Sequence, residues 1–574
     1  MKAPSRLVMI AAAVGGFWVV LLGRATHLAL GPTDLASAAV RQRVRSIALP
    51  PTPGRIVDRR GRVLAISREV PSVYVDPSAI DDAPGFAAVA GPILGRSADR
   101  IEADLTEHRD SRFRWLQRQV CESNVAALAD AGLPQDSWGV RLEWQRLYPQ
   151  GPLASHLIGF RDRDHNGRDG IERRLAEELR GSPGQKTYVQ DARGRRLQQL
   201  SDLRTVTTDG STIRLTIDAA VQSLAATELH RLAEEFHPAW ASVVLVDVAS
   251  QSVLAVENIP TFDPNEPIGA LTAGVDHASR SRVEPGSTFK PFLVGRTLEA
   301  ELTELGEAID AHWGHLERDG RIVRDSHPVE SVTPAELLVQ SSNIGAVDLA
   351  ERLGVRQTHR LLDELGVAVR PRVDLPGRPG QLRPVEDWSG FSLASHALGY
   401  EWTVTPLHLA VAYTALAGDG RLPSLAVRHD VPQVAAPPQA ILDPATCRWL
   451  RTGPLREVVS RGTAAGADRD AITGPPIFGK TGTAQKYDAT EGRYRSDRTV
   501  CLFAGGIPCE RPALVAVVVV DDPTTGRGRG GGSVAAPAAC RLLRQTWRLT
   551  QSTQITDGAT AASAAKESVI PSYR

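Results

Sequence analysis

Glu284-Pro285-Gly286-Ser287-Thr288-Phe289-Lys290-Pro291 is the stretch on which the reading of this chain turns. Pro-Gly ahead of Ser287 makes a turn, and a helix can start there. Pro291 then falls in the first helical turn, where a missing N–H costs little. Ser287 and Lys290 are three residues apart and share a helical face. A serine hydroxyl needs an adjacent base to become a nucleophile. A lysine held in a dry cleft near other cations is neutral enough to serve as that base. The helix N-terminus favours negative charge developing at Ser287. Alone, so short an S-x-x-K pattern also arises by chance.

Two further elements lie downstream. Ser341-Ser342-Asn343 follows the apolar Leu337-Leu338-Val339. Two hydroxyls and an amide at a helix start suit a polar cleft wall, and ordinary N-capping is the competing reading. Lys480-Thr481-Gly482-Thr483 sits inside the strand-like run Phe478–Gln485. Gly482 weakens a strand unless something approaches its backbone closely, and a peptide laid along an edge strand is such a partner. Lys480 adds positive charge, and Thr481 and Thr483 add donors for a carboxylate. A solvated edge strand blunted by charge is the alternative. The three elements in this order and context are far more specific than any one of them.

Working outward, Leu215-Thr216-Ile217 ends a strand-like run from Thr212, and Asp218 caps an amphipathic helix over Ala219–Glu235. Ala241–Val248 and Ser252–Glu257 read as a hairpin. Ile477–Ala484, Thr499–Gly505 and Leu514–Val520 read as three more strands, and Ala535–Thr546 as a closing helix. Strands at both ends with helices between predict an α+β domain, one antiparallel sheet flanked by helices. The segment before it, Gly31 to Gly210, reads as an elongated α+β pedestal. It carries strand-like runs at Pro71–Val75 and Ser155–Gly159 and helical signals at Glu122–Ala131 and Ile171–Leu179. The expected divisions are 1–30 cytoplasmic tip and membrane anchor, 31–210 pedestal, 211–550 catalytic domain and 551–574 a disordered Ala/Ser/Thr-rich tail.

The N-terminus sets the compartment. Lys2 and Arg6 precede an uncharged stretch, Leu7 to Gly23, bounded by Arg24. That is about the minimum for a membrane span. No convincing small-x-small cleavage site follows the apolar run, so an uncleaved anchor is favoured over a signal peptide. The basic side stays in the cytoplasm, which places the rest on the extracytoplasmic, periplasmic side. The 574 residues carry 66 Lys plus Arg against 66 Asp plus Glu, and 5% aromatics. That balance excludes the strongly basic footprint and base-stacking surface of a nucleic-acid binder. Five cysteines show no metal-type spacing and are expected as free, mostly buried thiols, with Cys501 and Cys540 placed to lie close together. The 14 histidines include no H-E-x-x-H, so no metal is expected, and no cofactor is implied.

The whole pattern resembles the class B penicillin-binding proteins, from Gly54 to about Leu543. Gly54-Arg55-Ile56-Val57-Asp58-Arg59-Arg60-Gly61-Arg62-Val63-Leu64-Ala65 looks like that family's membrane-proximal signature. Arg146-Leu147-Tyr148-Pro149, Leu153–Phe160 and Gly170-Ile171-Glu172 look like its pedestal domain. Pro260–Asn265 and Gly531–Pro537 match secondary signatures of the catalytic half. The resemblance is closest to the cell-division branch, with the elongation branch as alternative.

It implies a D,D-transpeptidase that cross-links peptidoglycan stem peptides and is inhibited by β-lactams. It implies Ser287 as nucleophile and Lys290 as its base. Ser341 relays a proton to the leaving D-alanine, Asn343 holds the peptide amide and Lys480 supports the proton path. Thr481 and Thr483, on the element with Gly482, bind the terminal carboxylate. Ser342, which replaces the central Asp of S-D-N, lines the same wall. The N–H groups of Ser287 and Thr483 form the oxyanion hole. Implied partners are a membrane glycosyltransferase and other division proteins. A silent structural member, a β-lactam sensor and a β-lactamase are the other classes. Intact catalytic elements argue against the first, and the long pedestal behind a single anchor against the others. The sequence departs from the family at Pro53, at Glu401, where a glycine is usual and for which solvent exposure is the expected reading, and at His408, which replaces a glutamine. The Gly-rich Thr525–Gly532 reads as a loop and not as a phosphate cradle.

Overall fold

The computed structural model describes residues 6–30, 44–190, 196–266, 274–429, 439–526 and 528–567. The chain divides into two compact units, Met1–Pro53 with Arg180–Ser211, and Gly54–Leu179 with Thr212–Arg574.

In the first unit, α1 (Arg6–Leu30) is the one helix among the described residues long and apolar enough to cross a membrane, with a mean hydropathy of 2.0. Its 25 residues span ~38 Å. The helix continues past Arg24 because the following Ala and Leu residues are good helix formers and nothing there breaks it. The unit also holds an antiparallel sheet of Val44–Leu49, Gly184–Gln190 and Arg196–Thr205.

The second unit opens with a sheet built on one long strand, Val63–Val75, which contains the run expected from Pro71. It pairs antiparallel with Ile56–Val57, Arg114–Gln117 and Trp138–Leu147. Helices Ala83–Leu94, Ala98–Glu107 and Glu122–Asp130 contribute to a core around Val73, Phe86 and Leu116. Two expectations are corrected here. Ser155–Ile158 is a buried helical turn and not a strand, entered through Ala154 at φ 54° and left through Gly159 at φ 74°. A short apolar run does not distinguish strand from buried helix by periodicity. The helix expected over Ile171–Leu179 is two short ones, Gly170–Arg174 and Ala176–Arg180.

Of the strand expected over Thr212–Ile217, Ile213–Arg214 forms, in parallel with Ile56–Val57. Next comes α2 (Ala219–Phe236), capped by the Asp218 carboxylate, which accepts from Ala220 N at 3.0 Å. The hairpin β1 (Trp240–Asp247) and β2 (Ser252–Ile259) follows. Helices α3 (Lys290–Glu299), α4 (Pro334–Gln340), α5 (Asn343–Leu353) and α6 (Pro406–Ala417) fill the middle. Three strands close the sheet, β3 (Phe478–Asp488), β4 (Arg493–Ile507) and β5 (Leu514–Asp521). The order is β2-β1-β5-β4-β3, antiparallel throughout, so β3 is an edge.

The apolar run of β5 is buried at every position, as a central strand covered by helices must be. Every residue of α6 is buried as well, matching its all-round apolar sequence. The closing helix α7 (Ala535–Glu567) runs well past Thr546 and past the boundary drawn at Gln551. Residues 568–574 lie outside the described residues.

Candidate active site

Ser287 stands on a 3-10 turn, Gly286–Phe289, and α3 begins at Lys290 with Pro291 in its first turn. The turn is anchored from below. The Tyr413 hydroxyl on α6 donates to Thr288 O at 2.8 Å, and the Phe289 ring packs edge-on against Trp402. Gly286 takes φ 53°, a left-handed conformation that favours glycine, and lies against the Thr483 backbone. Ser287 is half-buried, and its hydroxyl has no hydrogen-bond partner among the described residues.

One turn further on, the Lys290 amine is completely buried. It donates to Ser341 O at 2.8 Å and Asn343 Oδ1 at 2.8 Å, and stands 3.4 Å from Ser341 Oγ. From the other side the Lys480 amine, also buried, donates to Ser341 Oγ at 2.9 Å and Thr481 O at 3.2 Å. One hydroxyl therefore joins two amines taken out of water. Burial pulls Lys290 down to about 7, with nearby Asp325 holding it up in part. Burial, and then the neighbouring Lys290, push Lys480 well below the ordinary lysine range. Neutral amines that accept a proton near neutral pH are what proton transfer from a hydroxyl requires.

The Ser341 element serves a break between two helices. Ser341 ends α4 in the left-handed region at φ 61°, and Ser342 N-caps α5 by accepting from Gly345 N at 3.0 Å. The capping alternative thus holds for Ser342, while Ser341 faces the two lysines. Asn343 Nδ2 donates to Arg324 O at 2.8 Å, which turns its carbonyl oxygen toward Lys290. Sequence reasoning missed Asp325. Its carboxylate accepts from Ser342 Oγ at 2.5 Å, from Ile344 N at 3.2 Å and from Asn343 N. It returns a carboxylate to the element whose central Asp is here a serine.

On the edge strand β3, side chains alternate between two faces. Lys480 and Gly482 face the Ser287 turn. A Cβ on Gly482 would meet Pro285 O at 2.8 Å and Thr288 Cγ2 at 3.0 Å. The close neighbour inferred from Gly482 is therefore the protein's own turn. Thr481 is buried, its hydroxyl 2.6 Å from that of Thr463, another residue the sequence did not flag. Thr483 is exposed and accepts from Gly531 N at 2.9 Å. Gln485 N donates to the Tyr400 hydroxyl at 3.2 Å, so it points away from β4. By the same alternation Thr483 N–H points to the open edge.

Glu284, three residues before Ser287, closes the far side. Its Oε1 accepts from the Tyr494 hydroxyl at 2.7 Å and Glu401 N at 2.9 Å, and burial pushes its carboxyl up to about 7. Glu401 does not simply face solvent. Its side chain is 17% exposed and accepts from Arg383 and, at 2.8 Å, from Ser392 Oγ. It holds φ 65°, which explains why a glycine suits this position. His408 completes a capping box at the start of α6, accepting from Thr405 N at Nδ1 (3.1 Å), with Val369 O at 2.9 Å from Nε2. An imidazole acceptor can fill the role glutamine has in such boxes. Cys447, Cys501, Cys509 and Cys540 are buried free thiols, and Cys121 is an exposed one. Among the described residues no group of three His, Cys, Asp or Glu side chains is placed to hold a metal ion.

Comparison with known proteins places these features. The family model described as the penicillin binding protein transpeptidase domain matches residues 241–544, and that of the penicillin-binding protein dimerisation domain matches residues 48–215. The chain is 32% identical over 506 residues to the probable peptidoglycan D,D-transpeptidase PenA of Neisseria meningitidis, covering 87% of this chain and 85% of the relative. It is 29% identical over 527 residues to the peptidoglycan D,D-transpeptidase FtsI of Escherichia coli, covering 90% and 87%. Its fold is similar to that of penicillin binding protein 3 of Mycobacterium tuberculosis, solved with aztreonam, at a TM-score of 0.65 and 23% identity. That match covers 88% of this chain and 97% of the other.

Proposed function

We propose the following role on one premise: the chain belongs to the class B penicillin-binding proteins, is related to their septal branch, and is a serine-type peptidoglycan D,D-transpeptidase. Ser287 Oγ attacks the carbonyl carbon of the penultimate D-alanine of a donor stem peptide, and its proton passes to Lys290 Nζ. The Ser287 and Thr483 N–H groups hold the oxyanion. The peptide C–N bond then breaks, and the leaving D-alanine takes a proton through Ser341, supported by Lys480. Asn343 holds the peptide amide, and Thr481 and Thr483 receive the terminal carboxylate. An amine from a second stem peptide attacks the ester, forms the cross-link and returns the proton to Ser287. A β-lactam acylates Ser287 and stays there. The reaction as written needs no cofactor.

The observation that carries this reading is the buried Lys290 amine one turn after Ser287, held by Asn343 and joined to Lys480 through Ser341. The finer setting is septal wall synthesis, with α1 as a single anchor, Lys2 and Arg6 on the cytoplasmic side and the catalytic part outside. A pedestal at 31–210 and a catalytic domain at 211–550 belong to the same proposal, as do a membrane glycosyltransferase and other division proteins as partners. Labelling the full chain in detergent with a fluorescent penicillin, beside Ser287→Ala, tests the chemistry. Stable labelling of the parent and none of the variant is expected. A folded parent that does not label would leave the chain a silent member of the wall-synthesis complex.

A further inference from the structure

Beyond the nucleophile, the edge strand β3 runs on into a long open groove enclosing about 1220 Å³. Glu284 lies at its catalytic end, and Ala484 to Tyr487 of β3 form one wall. An extended peptide that pairs with the open edge at Thr483 and continues along the strand must therefore enter it.

The groove's charge is one-sided. Seven arginine and lysine side chains line it against three carboxylates. Two of the three carboxylates are already engaged by groove cations: Glu401 with Arg383, and Asp521 with Lys486 at 2.7 Å. The third, Glu284, is committed to Tyr494 and the Glu401 N–H. Two more of the seven cations are satisfied from outside the groove, Arg280 by Asp169 at 2.9 Å and Arg493 by Glu491 at 2.7 Å. Arg282 and Arg378 are exposed and have no ion-pair partner among the described residues, and Arg321 only stacks over Phe391. An arginine fork left open in a groove matches a carboxylate in geometry and charge.

We propose that this groove is the subsite for the part of the stem peptide remote from the scissile bond, and that Arg282 and Arg378 make it select stems with free side-chain carboxylates over amidated ones. The proposal rests on the transpeptidase reading above and names the substrate class for that site. Arg282 and Arg378 touch no reacting atom. They determine specificity through binding, so the effect falls on KM for the acidic donor.

The probe is a synthetic pentapeptide donor ending in D-Ala-D-Ala with free carboxylates on its second and third residues, beside the same peptide with both amidated. The full chain in detergent is assayed for release of D-alanine from each. The diacid is expected to have a kcat/KM about tenfold above the diamide, carried by KM, as two charge-assisted contacts at a groove rim allow. Added salt should shrink that ratio. Arg282→Gln with Arg378→Gln should bring the ratio close to one, with the melting temperature as the check that the variant is folded. A parent that does not discriminate, a ratio indifferent to salt, or a folded double variant that keeps the full preference overturns the proposal. Failure of the parent to label with penicillin removes the transpeptidase reading and this one with it. Labelling without discrimination removes this one alone.

Discussion

Two buried lysine amines share one serine hydroxyl, and that sets how the site must respond to pH. An ammonium at Lys290 cannot take the Ser287 proton, and a free amine can. With burial holding Lys290 at about 7, the second-order rate of acylation by a penicillin should rise with pH and reach half its limit near pH 7. Above that point the base is neutral and the rate should level off. Because Lys290 and Lys480 interact through Ser341, the apparent value belongs to the pair. Stopped-flow acylation between about pH 5.5 and about pH 8.5 checks this, and a flat profile would remove Lys290 from the role of base. At this scale, the residues the sequence marked are those whose chemistry shows in local spacing. Ser287 and Lys290 share a turn, and Ser341 to Asn343 are consecutive. Asp325 and Thr463 carry no such mark. Asp325 reaches Ser342 across 17 positions from the end of the hairpin His315–Arg324, and Thr463 reaches Thr481 across 18. Only the fold brings them in.

The site is held by the fit between two elements, the Ser287 turn and the edge strand β3, which touch at Gly286 and, more tightly, at Gly482. An alanine there would put its Cβ 2.8 Å from the Pro285 carbonyl oxygen, closer than real Cβ atoms come. Either the strand or the turn must move. β3 is hydrogen-bonded to β4 along most of its length, so the turn is the part expected to yield. Gly482→Ala should therefore lower penicillin acylation by about tenfold to hundredfold, the scale of a displacement of about 1 Å at a reacting atom. The melting temperature should shift only a little. Unchanged acylation would mean that the turn adapts and that this close approach is not needed. The elements themselves were largely legible, since β5 and α6 announce their burial by uninterrupted apolar composition. The misreadings came from runs too short to show a period. Leu157 and Ile158 suit a strand as well as the buried turn they form. Gly482 signalled a close neighbour, but not whether that neighbour was substrate or the chain itself.

For the molecule as a whole, the sequence suggests a boundary near Gly210, yet one compact unit spans it, joining Gly54–Leu179 to Thr212–Arg574. The joint is specific. Asp58, fully buried, accepts from Arg60 N and Arg62 N at 2.8 Å each, from Ala219 N at 3.1 Å and from Arg62 Nε at 2.9 Å. Asp218, which caps α2, takes Arg60 Nε at 2.8 Å and Arg62 Nη2 at 2.7 Å. The Asp58–Arg62 segment therefore clamps the start of the part that begins at Thr212. A second tie runs from Ala154 N to the buried Glu257, which Gln222 of α2 also holds. A catalytic half cut free at residue 211 would leave Asp218 without its arginines and Glu257 with one donor fewer. Asp58→Ala in the full chain should cost about 1–3 kcal/mol, the scale for buried donors left without their acceptor, and should lower one shared unfolding transition. Calorimetry of parent and variant decides. A single transition that moves as a whole is expected. Two transitions, of which only the less stable shifts, would show that the pedestal segment and the catalytic half unfold separately. In that case Ser287, Lys290 and Lys480 would keep their arrangement without help from the segment around Asp58.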